Sequence, residues 1–557
     1  MASVQIIKKN NTKYVRVVES YWDKEVKKPK IREVKFLGKL EDLTKDNPNF
    51  IEELKEQVSS KKRQKQKNRT DQILELINSL KLDKFNGFQV KNYGNLIYEE
   101  LIKDLELPDF LENLQKSNSK SKYNLSTITK MLILMRILEP SSKRSAVENI
   151  KSYCFDFDDN LKDVYRSLEF LQSKKAEILK HLNDQFIDKI NRNLTFCFYD
   201  VTTVYFESFI PDELRKFGFS KDNKVNQTQV VLGLLIDDAG IPIYYDLFPG
   251  NTSDFLTLKP ILENVKRDLG VEKITIVADR GLNSKSNLLA IKEAGYDYIM
   301  AYKIRGKENK IENIYNLETY KMLYDEFGVK NQDHKEVIKA NNTFYQIDNK
   351  LILSFSAKRQ RKDQKDRERL LKKAEKLLNL SAIKSEMKRG GKKYLKFHAD
   401  KVELDYQAIL KDKESDGFYG ILTSHQDMSE LEIIEQYSKL WKIEESFRVI
   451  KTNFEVRPIF LSNEKTIKGH FLICFLALTI QRYLEFILEC CGFPIPTKKI
   501  IEAVKNQKVS IIPMIKTYIK SEETDDFKTI LKVLGLKPLE TIGKYNDIKL
   551  TIYEKQI

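Results

Sequence analysis

One stretch of the sequence, YSKLWKIEESFRVIK at 437–451, constrains the fold more than any other. It contains neither Gly nor Pro and therefore predicts a helix. Tyr437, Glu444 and Lys451 recur every seven residues, so they share one helical face with about 20° of drift per interval. The apolar residues Leu440, Trp441, Ile443, Phe447, Val449 and Ile450 predict that the helix is largely buried. A phenol, a carboxylate and an ammonium group on a buried helix indicate a functional face, and a solvated stripe of charges is the alternative.

Two acidic residues lie in strand-like segments far upstream. TFCFYDVTTVYFES (195–208) is β-branched and aromatic with Asp200 in its middle, and the strand within KITIVADRG (273–281) ends at Asp279. The segments around them predict a hairpin around 238–240, Gly-capped helices at 256–270 and 284–295, and a strand at 296–305. This succession predicts a mixed sheet covered by helices.

The carboxylates of Asp200, Asp279 and Glu444 suit a site for two divalent cations. If the two strands are neighbours, both Asp side chains project into one cleft, and the helix brings Glu444 to the same edge. Carboxylate oxygens are the ligands that Mg²⁺ and Mn²⁺ prefer. A pair of such ions activates the nucleophile and stabilises the leaving oxygen in phosphodiester chemistry. A single Asp at a strand end more often caps a turn, so only the combination indicates this chemistry.

The charge balance favours a polyanionic partner. The chain has 97 Lys and Arg against 81 Asp and Glu, a net charge of +16. Nucleic acid is the first expectation and an anionic membrane surface the second. A genome biased toward A and T also produces Lys-rich proteins, so the charge alone does not decide.

Cysteine usage and hydropathy predict a cytoplasmic protein without membrane spans. Five scattered cysteines are too few for a disulfide framework or a zinc site, and they predict reduced, buried thiols. The opening MASVQIIKKNN lacks the apolar core of a signal peptide. The apolar run FLICFLALTI at 471–480 is ten residues long, too short for a bilayer, and predicts a core helix.

Several further segments leave two interpretations open. Residues 4–38 predict an antiparallel meander, whose basic face is either solvated or a DNA-contacting ribbon. The basic run at 61–69 is a linker or lies along phosphates. Residues 125–150 predict two helices around 139–142, more readily a plain helical hairpin than a helix-turn-helix. The basic segment at 358–396 predicts a charged helix, either solvated or, as the net charge favours, facing phosphates.

Three motifs together resemble those of a known family. YDVTT at 199–203, VADRG at 277–281 and YxxxWxIEExFRxxK at 437–451 are similar to the signature regions of DDE transposases of bacterial insertion sequences. The resemblance is greatest to the group with a YxxRxxxExxxxxxK helix. Leu440 stands where that group usually has Arg, and Lys439, Lys442 and Arg448 are alternatives for its DNA contact.

The resemblance implies an α/β fold: a ribonuclease-H-like mixed sheet with helices, interrupted by a β-rich insertion, plus an N-terminal β-meander and a helical DNA-binding region. Asp200, Asp279 and Glu444 would be catalytic and would hold two Mg²⁺ or Mn²⁺ ions. The register from Tyr437 and Lys451 selects Glu444, and Glu445 would point about 100° away. By the same resemblance, Tyr437 and Lys451 would contact DNA phosphates, and Thr202 would support Asp200.

The chain is predicted to divide into seven regions. These are a meander with a helix at 1–60, a basic linker at 61–70, a helical DNA-binding region at 71–185, the first part of the catalytic core at 190–305, the β-rich insertion at 306–430, the second part of the core at 431–485, and a C-terminal helical region at 486–557 with a strand at KLTIYEK (549–555). Glu444 lies 165 positions after Asp279, a separation far larger than one helix needs, which supports the insertion.

The predicted function is that of a DNA transposase, which binds the terminal inverted repeats of its element and catalyses metal-dependent strand cleavage and strand transfer. Its partner would be double-stranded DNA, and holding two ends would require a homodimer or higher oligomer. In a bacterial cytoplasm the DNA-bound protein would lie at the nucleoid. A ribonuclease-H-like nuclease such as a resolvase, or an inactive DNA-binding relic of a transposase, are the alternatives.

Overall fold

The computed structural model describes residues 2–9, 12–23, 28–45, 47–56, 58, 88–218, 227–305, 311, 313–324, 326–340, 343–378, 390–398, 402–456, 459 and 461–553. The chain forms two compact units, of which one comprises 1–88 with 512–515 and the other comprises 89–511 with 516–557. The basic run and predicted linker at 61–70 lie outside the described residues.

The N-terminal unit is the predicted meander. Strands β1 (Ala2–Lys9), β2 (Thr12–Asp23) and β3 (Lys28–Lys39) pair antiparallel in that order, and helix α1 (Leu40–Thr44) and a helical segment at 50–56 follow. Val15 and Val18 in the central strand are buried, whereas Ile6 and Phe36 on the outer strands are about half exposed. The predicted meander is therefore confirmed, and its central strand has a small buried face.

Residues 89–190 form one short strand followed by helices. They are β4 (Gln89–Asn92), α2 (Asn95–Asp104), α3 (Leu107–Asn118), α4 (Leu125–Leu138), α5 (Lys143–Asn149), α6 (Leu161–Ser173) and α7 (Lys175–Ile190). α4 and α5 are the two helices predicted around 139–142. Nearly every side chain of α4 is buried, so α4 belongs to the core.

The predicted mixed sheet forms next along the chain. It contains β5 (Phe196–Tyr205), β6 (Gln229–Ile236), β7 (Pro242–Pro249), β8 (Thr275–Ala278) and β9 (Asp297–Tyr302), with α8 (Leu258–Leu269) and α9 (Lys285–Ala294) as crossover helices. β5, β6 and β7 are antiparallel, while β8 and β9 run parallel to β5 on its other side. Gly270 and Gly295 end the two helices with φ of 67° and 81°, which glycine adopts without strain. The predicted mixed sheet covered by helices is confirmed.

Strands of the predicted insertion extend this same sheet. They are β10 (Lys321–Tyr324), β11 (Phe327–Ala340), β12 (Thr343–Ser356) and β15 (Phe418–Thr423), and the full order is β10-β11-β12-β15-β9-β8-β5-β6-β7. Helices α10 (Ala357–Leu378) and α11 (Tyr406–Glu414) and the short pair β13 (Leu395–Phe397) and β14 (Val402–Leu404) lie between them. β15 pairs with β9 and so covers an edge that would otherwise expose unpaired backbone groups.

The 437–451 stretch is not one straight helix, so that prediction is wrong. It spans the end of α12 (Glu430–Ser438), α13 (Trp441–Arg448) and part of a π-helical turn at Val449–Asn453. Leu440 N–H donates to Tyr437 O at 3.1 Å and Ile443 N–H to Leu440 O at 3.2 Å. Such bonds over three residues tighten the chain between the helices. Trp441, expected to be buried, is 56% exposed, because it lies on the same outer side of α13 as the exposed Glu444 and Arg448.

Helix α14 (Glu464–Cys490) contains the apolar run at 471–480. By length and composition alone this 27-residue helix could cross a membrane. However, 78% of its most apolar window is buried inside the protein, where it packs on α4, α6 and β7. Cys490 and Cys491 at its end are exposed, contrary to the expectation for all five cysteines.

The C-terminal region is mixed rather than helical. It contains α15 (Thr497–Lys505), β16 (Lys508–Ile512), β17 (Thr517–Lys520), α16 (Asp525–Val533), β18 (Ile542–Lys544) and α17 (Ile548–Tyr553). Its strands form a sheet of order β18-β17-β16-β4. The predicted strand at KLTIYEK is wrong, because the described part of it lies in α17.

Candidate active site

Asp200 and Asp279 lie side by side on neighbouring parallel strands. Tyr199 of β5 is paired with Ala278, the last residue of β8. Asp200 follows Tyr199 within β5, and Asp279 follows directly after the end of β8. Neighbouring strands are about 4.8 Å apart, and laterally adjacent residues project from one face of the sheet. The neighbouring strands required for a common cleft are therefore present. Asp200 is half-buried, and its Oδ1 accepts a hydrogen bond from the Val201 N–H at 2.7 Å. Asp279 is exposed at the strand end.

The 437–451 stretch crosses this same face. Asp200 is paired with Leu234 of β6, which is paired in turn with Tyr245 of β7, so the three side chains project from one face of the sheet. The Tyr245 ring lies 5.0 Å from that of Phe475, so α14 covers this face. α13 lies beside α14, as the 3.9 Å contact from Glu445 to Arg482 shows. α12 packs against β8 and β9, while α13 packs against β5 and β6. Glu444 is thus carried over the face from which both aspartates project.

Glu444 and Glu445 differ in what they contact. Glu445 accepts from Arg448 at 2.9 Å and lies near Arg482, so it belongs to an ion-pair cluster. Glu444 is exposed and forms no ion pair with another described residue. Lys442, about 160° away around the helix, contacts the backbone oxygen of Asp238 in the β6–β7 turn. Glu444 therefore lies on the flank turned away from that turn, toward the carboxyl ends of β5 and β8.

A pair of tyrosines connects α12 with Asp279. The Tyr437 hydroxyl is 2.6 Å from that of Tyr419 and donates to Asp279 Oδ1 at 3.5 Å. Burial, and then the neighbouring Tyr419 and Asp279, raise the pKa of Tyr437 well above its usual range. The phenol therefore stays protonated and acts as a hydrogen-bond donor to the carboxylate.

The donor set fits hard divalent cations, although the three carboxylates do not converge. Among the described residues, no group of three His, Cys, Asp or Glu side chains is close enough to form a metal site. Mg²⁺ keeps several waters and needs only one or two carboxylates besides substrate phosphates. Asp200 and Asp279 supply such a pair, and Glu444 lies on the same side of the sheet.

The residues predicted to bind DNA make different contacts. Lys439 forms an ion pair with Asp238 at 2.9 Å, Lys442 contacts the same turn, and Arg448 pairs with Glu445. Lys451 is half-buried in the π-helical turn, a distortion often found at functional sites. Lys439 and Lys442 thus connect the helices to the β6–β7 turn, Arg448 forms an exposed ion pair within α13, and Leu440 itself is buried in the core.

Thr202 and two residues that sequence reasoning missed complete the surroundings. Thr202 is buried and lies two residues along β5 from Asp200, on the same face. Tyr419 of β15 touches Tyr437, and the Arg359 guanidinium of α10 lies 4.4 Å from the Tyr419 ring. The aromatic strand FYGILT was a usable signal for Tyr419, but its place beside β9 depends on pairing across more than a hundred residues.

Comparison with known proteins identifies the family. The family described as "Transposase DDE domain" matches residues 194–480, just over half of the chain. These residues run from the start of β5 into α14, and they include both aspartates and the whole 437–451 stretch. No curated protein matches the sequence.

Solved structures of Mos1 transposase show only partial likeness. A paired-end complex with the left transposon end has 11% identity over 31% of this chain and 57% of the other, with a TM-score of 0.14. A pre-cleavage transpososome has 10% identity over 37% and 77%, with a TM-score of 0.14. A paired-end complex with Mn has 11% identity over 36% and 65%, also with a TM-score of 0.14. The chain spans about half to three quarters of these proteins, and no argument rests on them. On the match to residues 194–480, the chain belongs to the DDE-domain transposase family, whose members carry out phosphoryl transfer with divalent metals.

Proposed function

We propose that the chain is an active DNA transposase of an insertion sequence, which cleaves the terminal inverted repeats of its element and joins them to target DNA. The proposal rests on one observation: Asp200 and Asp279 lie in lateral register on neighbouring strands, beneath the helix that contains Glu444. The two aspartates place carboxylate oxygens on one face of the sheet, near the ends of β5 and β8, where a DNA strand can reach them.

The residues have distinct roles in this proposal. Asp200, Asp279 and Glu444 hold two Mg²⁺ or Mn²⁺ ions, which when bound supply an activated nucleophile and stabilise the leaving oxygen. Tyr437 orients Asp279 through its hydroxyl, as partners of metal ligands commonly do. Lys451 neutralises a phosphate of the bound end, and Thr202 packs beneath Asp200.

The charge distribution supports the proposed binding of DNA. The net charge of +16 attracts duplex DNA, and one side of α10 presents five basic residues together with Glu368: Lys365, Arg369, Lys372, Lys373 and Lys376. Holding two transposon ends requires a homodimer or higher oligomer. We place the protein in a bacterial cytoplasm, at the nucleoid when it is bound to DNA.

The test is a cleavage and strand-transfer assay with labelled DNA that carries the inverted repeats flanking the protein's own coding sequence. Glu444→Gln should reduce both reactions by more than about 100-fold, because loss of a ligand costs more than loss of its outer partners. Glu445→Gln is the matched control, since it changes the neighbouring carboxylate in the Arg448 and Arg482 cluster. Wild type and Glu445→Gln should both cleave and join in Mg²⁺.

Two other results would replace the proposal. Metal-dependent cleavage without joining would indicate a ribonuclease-H-like nuclease or resolvase. Binding of the end DNA with no metal-dependent cleavage by wild type would indicate an inactive relic.

A further inference from the structure

A second cluster of charged groups lies in a cavity of about 210 Å³ in the larger unit. Its walls come from α4, the loop before α5, the segment after the π-helical turn, and α14. They include Arg136, Ser141, Lys143, Glu455 and His470. We call this the Arg136–Lys143 cavity. None of these residues belongs to the three motifs.

The cavity contains two buried cations with neutral partners. Arg136 and Lys143 are each only 6% exposed. The Arg136 guanidinium donates to Phe454 O at 3.0 Å and to Ser141 O at 3.4 Å, and Lys143 Nζ lies 3.0 Å from His470 Nδ1. Neither cation forms an ion pair with any carboxylate that the structure describes. Buried cations are normally paired with an anion, because leaving one unpaired is costly.

His470 does not supply the missing negative charge. Burial, and then the charges of Lys143 and Arg136, hold its pKa well below the usual range, so the ring is neutral and accepts from Lys143. Burial and Arg136 lower the pKa of Lys143 to about 7, so an anion bound beside it would favour its charged form. Glu455, the acidic residue in the wall, is exposed.

Unpaired polar atoms lie in the same walls. Arg136 Nε and Ser141 Oγ are buried and have no hydrogen-bond partner among the described residues. Buried donors are usually satisfied by protein or by a bound group. Glu455, also in the wall, has a φ of 41°, a left-handed conformation that is uncommon for residues with a side chain. The cavity thus offers charge and donors for an anion that the described residues do not provide.

We propose that the Arg136–Lys143 cavity binds a phosphate monoester. A monoester carries about −1.5 to −2 charge at pH 7 and three strong acceptor oxygens, which match two cations and the Ser141 hydroxyl. A phosphodiester carries a single negative charge and has a substituent on both sides, so it fits a partly enclosed cavity less well. Arginine and lysine together are common phosphate ligands.

The expected source is the 5′ end of a cleaved DNA strand, an assignment that rests on the proposed function. When water hydrolyses a phosphodiester to free a 3′-hydroxyl, the water oxygen bonds to phosphorus and the P–O3′ bond breaks. The 3′ oxygen takes a proton, and the phosphate stays on the 5′ side as a monoester. Its lining includes Ile459, which forms a β-bridge with Phe206 directly after β5, the strand that contains Asp200.

The first test measures thermal unfolding of the full-length protein without divalent cations, at fixed ionic strength. Methyl phosphate should raise the melting temperature of wild type, because a ligand that binds only the folded state stabilises it. Dimethyl phosphate, a diester, should not. Lys143→Met should fold, since it replaces a buried cation with an apolar chain of similar length, but it should lose the methyl phosphate shift. Ser141→Ala, which keeps both charges, should retain part of it.

The second test compares duplex DNA with a 5′-phosphate and the same duplex with a 5′-hydroxyl, again without divalent cations. Wild type should bind the phosphorylated end about tenfold more tightly, comparable to one charge-assisted hydrogen bond, and Lys143→Met should bind both equally. A methyl phosphate shift without this preference would support the monoester site and overturn the DNA-end source. Equal shifts with both esters, or an unchanged shift in Lys143→Met, would overturn the proposal. Neither test requires cleavage, so a failed cleavage assay with an intact methyl phosphate shift would count against the proposed function alone.

Discussion

Replacing Asp279 by Asn should stabilise the metal-free protein while weakening its response to metal. Asp200 and Asp279 lie on adjacent strands in lateral register. At about 5 Å, two unit charges repel by about 3 kcal/mol at an effective dielectric constant of 20 and by about 0.8 kcal/mol in bulk water. Because Asp279 is exposed and Asp200 is half-buried, we expect Asp279→Asn to raise the free energy of unfolding by about 1 kcal/mol. Asn keeps an oxygen that can accept from Tyr437.

The assay is equilibrium urea unfolding with and without Mg²⁺. Mg²⁺ should raise the unfolding midpoint of wild type and of Glu272→Gln, a control that removes an exposed charge just before β8. It should leave the midpoint of Asp279→Asn almost unchanged, because one carboxylate of the pair is gone. A less stable Asp279→Asn protein in the absence of metal, or one that Mg²⁺ stabilises as much as wild type, would refute this reasoning.

Three further substitutions test other parts of the structure. Tyr437→Phe removes the donor to Asp279 and should lower metal-dependent cleavage by about 10- to 100-fold; an unchanged rate would show that the contact is incidental. Gly469→Ala would place a Cβ 2.2 Å from Leu168 O, so it should lower the free energy of unfolding by at least about 1–3 kcal/mol in a denaturant titration. Burial raises the pKa of Glu99 to about 7 from 4.5, so the folded state favours the protonated form. Wild type should therefore lose stability as pH rises from about 4.5 to 7, and Glu99→Gln should be more stable at pH 8 by about 3 kcal/mol. Parallel pH profiles for the two proteins would contradict this.

Features that depend on local sequence could be predicted. Turn residues predict the hairpin around Gly240 and the helix ends at Gly270 and Gly295. Runs of β-branched and aromatic residues predict the strands beside Asp200 and Asp279. The lateral pairing of the two aspartates was expected only if their strands were neighbours. The parallel crossover through α8 brings these strands together.

Features that depend on distant pairing or tight local geometry could not be predicted. β15 joins β9 across the whole insertion, and β16 pairs with β4 from the far end of the chain. Propensity does not specify such partners. The break between α12 and α13 was missed because Lys439 and Leu440 are ordinary helix formers; contacts of Lys439 and Lys442 with the β6–β7 turn accompany the break.

The central claim is that Asp200, Asp279 and Glu444 converge on divalent cations when DNA is bound. The most direct measurement is the number of Mn²⁺ ions bound per active site in the complex with end DNA, determined by electron paramagnetic resonance titration. Two ions are expected for wild type and for Glu445→Gln, with a clear loss of bound Mn²⁺ in Asp200→Asn and in Glu444→Gln. Equal Mn²⁺ binding by Glu444→Gln and wild type would contradict the claim.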